Sequence, residues 1–373
     1  MKIVHVTEAW SGGISTYVNT LLRHQAADSD VTALTLLHSA TQTAHDFDSD
    51  FYKSQSIATR PYESSRNPFK IHDVSRNVSA IIKELNPDIV HLHSTFPGVY
   101  GRAFKQKNMT AKVVYCAHGW SFVQERGRAK KLIYAQIEKY LARRTDAIIN
   151  ISHHEDKEAE KHGVRALLNK VVLSGVDDVK GGDMKDRFDA SPALDIDPSF
   201  INIGYVGRLD HKKGFDMLAD VFDYCPPVNV RLYVMGDSSR DQQERPQNVT
   251  DQIKYLGWVD HDAVHEYMSL LDAVIVPSRQ EGFGLVAVEA MRAGKPVIAS
   301  RVGALPELVQ HGENGYLFDI KDYKQDLSDI LGALKKDELN AMGARARNIY
   351  EQRFTSARFS QEVLDCYRSL LPA

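Results

Sequence analysis

Residues 277–306 read PSRQEGFGLVAVEAMRAGKPVIASRVGALP, and this stretch decides the fold. A short apolar run at 273–276 precedes it and has the character of a buried strand. After the glycine turn at 282–284, apolar side chains recur at helical spacing until Gly294, at Leu285, Val288, Ala290 and Met291. The stretch therefore predicts a strand, a tight turn, a helix and a second strand.

A turn of this kind favours an anion, because it places backbone N–H groups and a helix N-terminus together at the carboxyl edge of a parallel sheet. Two carboxylates accompany it: Glu281 lies on the loop, and Glu289 lies about two helical turns further along. A diphosphate alone has no need of two acids. Carboxylates accept hydrogen bonds from sugar and ribose hydroxyls, so the combination indicates a nucleotide-sugar.

The pattern Pro-x3-Glu-Gly-Phe-Gly-Leu-x3-Glu-Ala-Met resembles the donor-site signature of family 4 of the retaining glycosyltransferases, which have the two-domain GT-B fold. The resemblance implies that Glu281 contacts hydroxyls of the donor sugar and that Glu289 binds the ribose. It also implies donor contacts from the segment between them, at Gly282, Phe283, Gly284, Leu285 and Val286. An ordinary helix N-terminus with an acid before it is the alternative explanation.

Composition is that of a globular protein, with 43% hydrophobic and 25% charged residues, and 373 residues suffice for two domains. The net charge of −3 hides an asymmetry, since residues 1–175 carry 23 Lys and Arg against 17 Asp and Glu. The N-terminus runs directly into a strand pattern without a signal peptide, and only three cysteines are present. These features favour the reducing cytoplasm.

Apolar runs alternate with helical patterns along the whole chain, which predicts an α/β protein with parallel, doubly wound sheets. The predicted strands are 2–6, 31–37, 88–92, 113–117, 147–151, 171–173, 201–206, 228–235, 253–256, 273–276 and 296–300. The predicted helices include 15–24, 71–85, 129–144, 336–353 and 355–371.

A polar stretch at 177–199 is interpreted as the linker between two domains. With the resemblance added, we expect a GT-B fold of two Rossmann-like domains whose parallel sheets face each other across a cleft. Residues 1–175 would form the acceptor-binding domain and 176–355 the nucleotide-sugar donor domain. The last segment, 356–373, would be a helix that crosses back to the N-terminal domain.

Arg208 and Lys213 follow the first strand of the second half and can converge on one diphosphate, which would neutralise the leaving group. They match the Gly-Arg-x4-Lys-Gly pattern of the family, which begins here at Gly207. Gly12 and Gly13 open the first helix, where a glycine pair is more often only a turn. The resemblance places this loop at the cleft and so adds it to the donor site.

His118 follows a predicted strand, where a lone histidine is usually structural, but the resemblance implies that it reaches the donor sugar. His91 and His93 lack the companions of a closed metal site and receive no chemistry. Three Asp-x-Asp sequences, at 28–30, 48–50 and 195–197, lie in polar turns and are interpreted as solvated. We therefore expect neither a metal at the catalytic centre nor any other cofactor.

The segment from Arg102 to Arg144 contains 11 basic residues and two acids, with apolar residues interleaved. One interpretation is a helix that packs on the core and exposes a basic face. The other is a surface that lies on anionic lipid and admits a lipid-linked or polyanionic acceptor. Nucleic acid is not expected as a partner, because the chain is acidic overall and carries no recognition motif.

Together with the resemblance, which alone implies retention, the sequence predicts a metal-independent, retaining glycosyltransferase in the cytoplasm. It would be peripheral to the inner face of the membrane if the segment from Arg102 to Arg144 forms a lipid-binding surface. It would move a sugar from a nucleotide-sugar, with a UDP-sugar favoured, to a hydroxyl of a saccharide or lipid-linked saccharide during cell-surface polysaccharide biosynthesis. Two alternatives stay open. A nucleotide-sugar epimerase of the same architecture would need no acceptor, and a non-catalytic sensor would need a charge to be lost from the diphosphate site.

Overall fold

The structure is a computed structural model that describes residues 1–8, 10, 12–41, 47, 49–103, 110–178, 196–237 and 252–372, without the side chains of 261 and 262. Contacts divide the chain into two compact units, one formed by Met1–Asp177 with Ser356–Ala373 and the other by Asp178–Thr355. Most of the predicted linker, at 179–195, lies outside the described residues.

The first unit is built on a parallel sheet of seven strands in the order β3-β2-β1-β4-β5-β6-β7. Its central strands are buried along almost their whole length, as expected for a parallel sheet that is covered on both faces. The strands are β1 (Lys2–Thr7), β2 (Ala33–Ser39), β3 (Ala58–Tyr62), β4 (Ile89–His93), β5 (Lys112–Cys116), β6 (Ala147–Asn150) and β7 (Leu168–Val171).

Helices of this unit alternate with the strands, as parallel connections require. They are α1 (Gly13–Ala26), α2 (Ser49–Ser54), α3 (Ile71–Leu85), α4 (Thr95–Ala103), α5 (Arg128–Ala142) and α6 (His153–Lys161). A buried ion pair joins two of them, since Arg102 on α4 donates to Glu138 on α5 at 2.7 Å and its guanidinium lies 3.6 Å from the ring centre of Tyr115.

The C-terminal helix, which we number α13 (Ser356–Leu370), also belongs to the first unit. At its start, the Ser356 amide donates to the carbonyl of Val176 at 3.0 Å. Further along, the ring of Phe359 meets Tyr17 of α1 edge to face. Near its end, Arg368 pairs with Asp28 at 3.1 Å and with Asp30 at 2.8 Å. Contacts along the whole helix therefore attach it to the rest of the first unit.

The second unit contains a parallel sheet of six strands in the order β10-β9-β8-β11-β12-β13. Its strands are β8 (Ile201–Val206), β9 (Val230–Met235), β10 (Ile253–Gly257), β11 (Ala273–Val276), β12 (Val297–Ser300) and β13 (Gly315–Phe318). Its helices are α7 (Phe215–Tyr224), α8 (His261–Leu270), α9 (Leu285–Arg292), α10 (Leu305–Leu308), α11 (Tyr323–Ala333) and α12 (Lys336–Arg353). Two parallel-sheet α/β units confirm the predicted class.

The predictions missed two strands and displaced a third by two to three residues, and all three are edge strands. The prediction omitted β3, whose Pro61 lacks a ladder donor and is tolerated only at an edge. It also omitted β13, which has four residues and follows directly from a turn. The strand predicted at 171–173 is Leu168–Val171 instead, because the half-exposed, partly polar residues 168–170 carry the pairing with β6.

Candidate functional site

The turn between β11 and α9 leaves the first backbone amides of a helix without a side-chain cap. Gly284 forms the N-cap with φ of +103°, a left-handed conformation that glycine adopts readily. A Cβ on it would lie 2.9 Å from Leu305, so the position is also tightly packed. The free amides and the helix dipole make this a site that can hold an anion.

Glu281 lies on this turn and is held by two side chains. Its Oε2 accepts hydrogen bonds from Lys213 Nζ at 2.9 Å and from Ser278 Oγ at 3.1 Å. Gly303 packs against its backbone with φ of +54°, and a Cβ there would lie 1.9 Å from the Glu281 carbonyl oxygen. Gly303 could not be identified from the sequence, because nothing in its spacing shows that this loop crosses the turn.

Lys213 reaches the turn because the loop after β8 is folded tightly against it. Asp210 accepts from the Lys213 amide at 2.9 Å and closes the loop. Gly214 has φ of +71°, and a Cβ on it would lie 1.9 Å from the carbonyl oxygen of Pro277. Strands β8 and β11 are hydrogen-bonded neighbours in one parallel sheet, so their loops emerge at the same edge.

Arg208 lies on the same loop but makes a different ion pair. Its guanidinium donates to Asp210 Oδ2 at 2.9 Å, and its side chain is 61% exposed, against 33% for Lys213. Gly207, the residue before Arg208, has φ of +152°. Gly236, which follows β9, packs against it so closely that a Cβ on Gly236 would lie 1.9 Å from the carbonyl oxygen of Gly207. The structure thus places Arg208 on the loop that carries Lys213, paired with its own aspartate.

The remaining donor-segment residues fall into two groups. Leu285 and Val286 are half-buried in the first turn of α9, beside the uncapped amides. Phe283 is buried, with its ring against Phe354, so a contact from it to a ligand would come from the backbone. Glu289 is buried in α9, about one turn from its N-terminus.

His118 follows β5 in the first unit, with φ of +51°, and Gly119 after it has φ of +105°. Two left-handed residues in succession turn the chain sharply at the carboxyl edge of the first sheet. The His118 ring packs edge to face on Tyr17, and its Nε2 lies 3.0 Å from His93 Nδ1. Burial lowers the pKa of His118 to about 3, so the imidazole is neutral near pH 7.

The predicted glycine pair opens the first helix of the same unit. Gly12 is the N-cap of α1, with φ of +66°, and α1 begins at Gly13. Both glycines are exposed. A Cβ added to Gly12 would have no other atom within 4 Å, so only the backbone conformation of Gly12 calls for glycine.

Three histidines to which the sequence analysis gave no common role lie together in the first unit. His5 on β1 is paired in register with His91 on β4, and His93 lies two residues further on the same face. All three are buried, and a nitrogen of each lies within 4.8 Å of the others, which could hold a metal ion. The spacing of His91 and His93 is visible in the sequence. The position of His5 beside them follows only from the pairing of β1 with β4.

Three aspartates of the Asp-x-Asp sequences form ion pairs in the described part of the chain, whereas the sequence predicted solvated turns. Asp28 and Asp30 both pair with Arg368, and Asp197 lies 3.4 Å from Arg231. The other two first-position aspartates, Asp48 and Asp195, lie outside the described residues.

Helix α5 has two apolar faces. One, including Ala135 and Leu141, is buried, and buried Glu138 on this face pairs with Arg102. The other faces solvent, with Leu132, Ile133, Ile137 and Tyr140 exposed to 62%, 58%, 42% and 54%. Among the described residues, no helix is both long and apolar enough to cross a bilayer.

Comparison with known proteins gives two family matches that together span most of the chain. The model for glycosyl transferases group 1 matches residues 186–352, and the model for glycosyltransferase family 4 matches residues 11–180. These matches cover both described units, including the loops that carry Lys213, Glu281 and His118.

Two relatives and one solved structure are also similar to this chain. An uncharacterised 41.2 kDa protein in the cps region of Klebsiella pneumoniae is 33% identical over 99% of this chain and 100% of its own. An Escherichia coli protein named UDP-Gal:alpha-D-GlcNAc-diphosphoundecaprenol alpha-1,3-galactosyltransferase is 25% identical over 81% of both chains. The crystal structure of Anabaena HepE with UDP and glucose superposes with a TM-score of 0.79 over 99% of this chain and 100% of that one, at 22% identity.

Proposed function

The chain belongs to the group 1 and family 4 glycosyltransferases, and on this premise we propose that it transfers a sugar from a UDP-sugar to a hydroxyl of a saccharide or lipid-linked saccharide in cell-surface polysaccharide biosynthesis. The observation that carries the proposal is the contact between Lys213 and Glu281 beside the uncapped N-terminus of α9. It brings a cation for phosphate, an acceptor for hydroxyls and free backbone amides to one sheet edge.

The leaving diphosphate would be held by Lys213, Arg208 and the α9 amides. Lys213 Nζ has three donors, so it can keep Glu281 and still bind a phosphate oxygen. Arg208 is exposed enough to exchange Asp210 for a more highly charged partner. These cations would stabilise the charge that develops as the sugar–phosphate bond breaks, and we propose that the reaction needs no divalent metal.

The sugar would be oriented by Glu281, His118 and the backbone of the Gly282–Leu285 turn, and Glu289 would bind the ribose. We propose that the acceptor hydroxyl attacks the anomeric carbon from the face that the diphosphate leaves, so that the configuration is retained. The names of the E. coli relative and the HepE structure support a uridine nucleotide, since one names UDP-Gal and the other contains UDP.

A donor screen followed by product analysis tests the proposal. We expect UDP and one UDP-sugar to raise the melting temperature of the whole chain selectively, with the same shift in EDTA. With a saccharide acceptor, NMR should show a product of the same anomeric configuration as the donor. Inversion would exclude the mechanism, stabilisation that requires a divalent ion would exclude metal independence, and conversion of the donor without acceptor would favour the epimerase.

We further propose that the exposed face of α5 lies on an anionic membrane surface, where lipid-linked acceptors are found. Leu132, Ile133, Ile137 and Tyr140 supply an apolar strip, and Lys130, Lys139 and Arg143 are exposed around it. Apolar residues with basic neighbours suit the interface of an anionic bilayer. Arg102, included in the predicted basic segment, is fully buried with Glu138 and cannot contribute. A location at the cytoplasmic face agrees with three free cysteines.

A further inference from the structure

Three histidines on neighbouring strands form a hydrogen-bonded chain that ends at His118. His5 Nε2 lies 2.7 Å from Gln25 Oε1, and His5 Nδ1 lies 2.9 Å from His93 Nε2. His93 Nδ1 in turn lies 3.0 Å from His118 Nε2. The chain crosses β1, β4 and the end of β5, which are adjacent in the sheet, so the sheet itself fixes the spacing.

The imidazoles meet edge to edge, as N–H···N hydrogen bonds require. The rings of His5 and His93 are within 12° of coplanar with centroids 5.2 Å apart, and those of His93 and His118 are within 29° with centroids 5.3 Å apart. Rings stacked face to face at these separations would hold their nitrogens further apart than 2.9–3.0 Å. Each contact therefore has one protonated and one unprotonated nitrogen.

All three imidazoles are neutral near pH 7, because burial lowers the pKa of His5 to about 4, that of His118 to about 3 and that of His93 well below the ordinary value. A neutral imidazole has one N–H and one lone pair, so the chain must run in a single direction. Gln25 Oε1 can only accept a hydrogen bond, so His5 must carry its proton at Nε2 and a lone pair at Nδ1. His93 must then donate from Nε2 to His5 Nδ1, and His118 must donate from Nε2 to His93 Nδ1.

We propose that His5 and His93 are positioning residues that hold His118 in its Nε2–H tautomer. The Nδ1 of His118 then carries a lone pair and accepts a hydrogen bond from a substrate hydroxyl. This last step rests on the proposed function, whereas the tautomer follows from the side chains alone. Gln25, at the far end, sets the direction of the whole chain.

The same histidines could also form a metal site, with His91 as the third ligand. As ligands, His5 Nδ1 and His93 Nε2, which lie 2.9 Å apart, would both have to point a lone pair at the ion. In the hydrogen bond between these two nitrogens, one of them instead carries a proton and has no free lone pair for an ion. The two arrangements exclude each other, so one spectrum distinguishes them.

NMR of the full chain labelled with ¹⁵N-histidine tests the tautomers independently of activity. Long-range ¹H–¹⁵N spectra should show His118 and His93 protonated at Nε2 only, with a scalar coupling between His93 Nε2 and His5 Nδ1 across the hydrogen bond. Zn²⁺ or EDTA should leave the signals unchanged. Protonation of His118 at Nδ1, absence of the coupling, or a stoichiometric Zn²⁺-induced shift that removes it would overturn the proposal.

Kinetics test the positioning role. His93→Leu should lower kcat by roughly 10–100-fold, the scale for outer-shell partners of a functional group, with a much smaller change in donor KM. His93→Asn keeps an oxygen that can accept from His118, so it should restore most of kcat and keep the Nε2–H signal of His118. Exposed His72→Leu is the matched control.

Two results would count against the role. If His93→Asn and His93→Leu lose the same activity while both remain folded and bind UDP, the acceptor on residue 93 does not matter. If neither loses activity, the chain of imidazoles is only structural. Should the wild-type chain transfer no sugar at all, the NMR result would still decide the tautomer, and only the proposed function would fail.

Discussion

Lys213 Nζ lies 2.9 Å from Glu281 Oε2, although the two residues are 68 positions apart in the chain. Neither side chain is fully buried, so the pair by itself contributes little to stability. Its position beside the uncapped amides of α9 is what gives it a function. The pair joins the loop after β8 to the turn after β11 and leaves two Lys213 protons for a phosphate.

Lys213→Ala should lower turnover by roughly 100-fold, which is the cost of removing one preorganised charge contact from a reacting centre. Lys212→Ala is the matched control, since that lysine is adjacent and exposed. Steady-state kinetics with saturating donor compare the two. Equal activity of the two variants, both folded by circular dichroism, would remove Lys213 from the diphosphate site.

Glu289→Gln should weaken UDP binding by roughly 10–100-fold, because a hydrogen bond to a carboxylate is replaced by a weaker one to an amide. Binding of pyrophosphate, which has no ribose, should be unchanged. Calorimetric titrations with the two ligands separate these effects, and exposed Glu313→Gln serves as the control. Parallel loss of pyrophosphate binding would contradict a specific ribose role.

Gly303→Ala should destabilise the protein and lower turnover together, because its Cβ would lie 1.9 Å from the Glu281 carbonyl oxygen and displace the turn. Gly312 also has positive φ, but nothing lies within 4 Å of a Cβ there. Gly312→Ala should therefore cost only the backbone strain, about 1–2 kcal/mol, with turnover unchanged. Urea unfolding and kinetics measure both. If Gly303→Ala lowers the free energy of unfolding no more than Gly312→Ala does, the turn can move to accommodate the added Cβ.

Stability should fall with acid through His5. Its folded pKa of about 4 lies below the unfolded value of 6.5, so the unfolded chain binds the extra proton between these pH values. Its contribution is complete above pH 6.5 and is lost as the pH falls, at about 1.4 kcal/mol per pH unit. Urea unfolding from pH 7.5 to 4.5 should give a smaller slope for His5→Gln than for wild type. A His5→Gln slope equal to that of wild type would contradict the assignment.

Much of the fold could be predicted because local signals agree with it. Strands β8 and β11 and helices α3 and α12 have their predicted limits, since helical spacing and the flanking turns mark their ends. Edge strands β3 and β13 give no such signal, because Pro61 interrupts β3 and β13 has only four residues directly after a turn. Local patterns therefore determine the central elements, and pairing determines the edges.

The site was less visible, because its contacts join distant loops. The motif identified Glu281 and Lys213 separately, but their contact depends on Gly214 packing against Pro277 and on the pairing of β8 with β11. The histidine chain is the clearest omission. His5 and His93 are 88 positions apart, and only the pairing of β1 with β4 brings them together.

The exposed face of α5 should bind anionic vesicles. Each isoleucine buried in the interface would contribute up to about 1.5–3 kcal/mol, and each nearby basic residue about 1 kcal/mol with anionic lipid. Co-sedimentation should therefore show stronger binding to phosphatidylglycerol than to phosphatidylcholine vesicles. Ile133→Asp with Ile137→Asp should reduce binding at least tenfold, because both changes remove apolar area and add like charge to that of the lipid.

Leu167→Asp is the matched control for this face, because Leu167 is also highly exposed in the first unit but lies outside α5. It should leave vesicle binding unchanged. The double variant should also keep its turnover on a water-soluble acceptor, since neither isoleucine belongs to the donor site. It should lose turnover only on a lipid-embedded acceptor. Equal binding to both lipids, or equal loss from Leu167→Asp, would mean that α5 exposes its second apolar face for another reason.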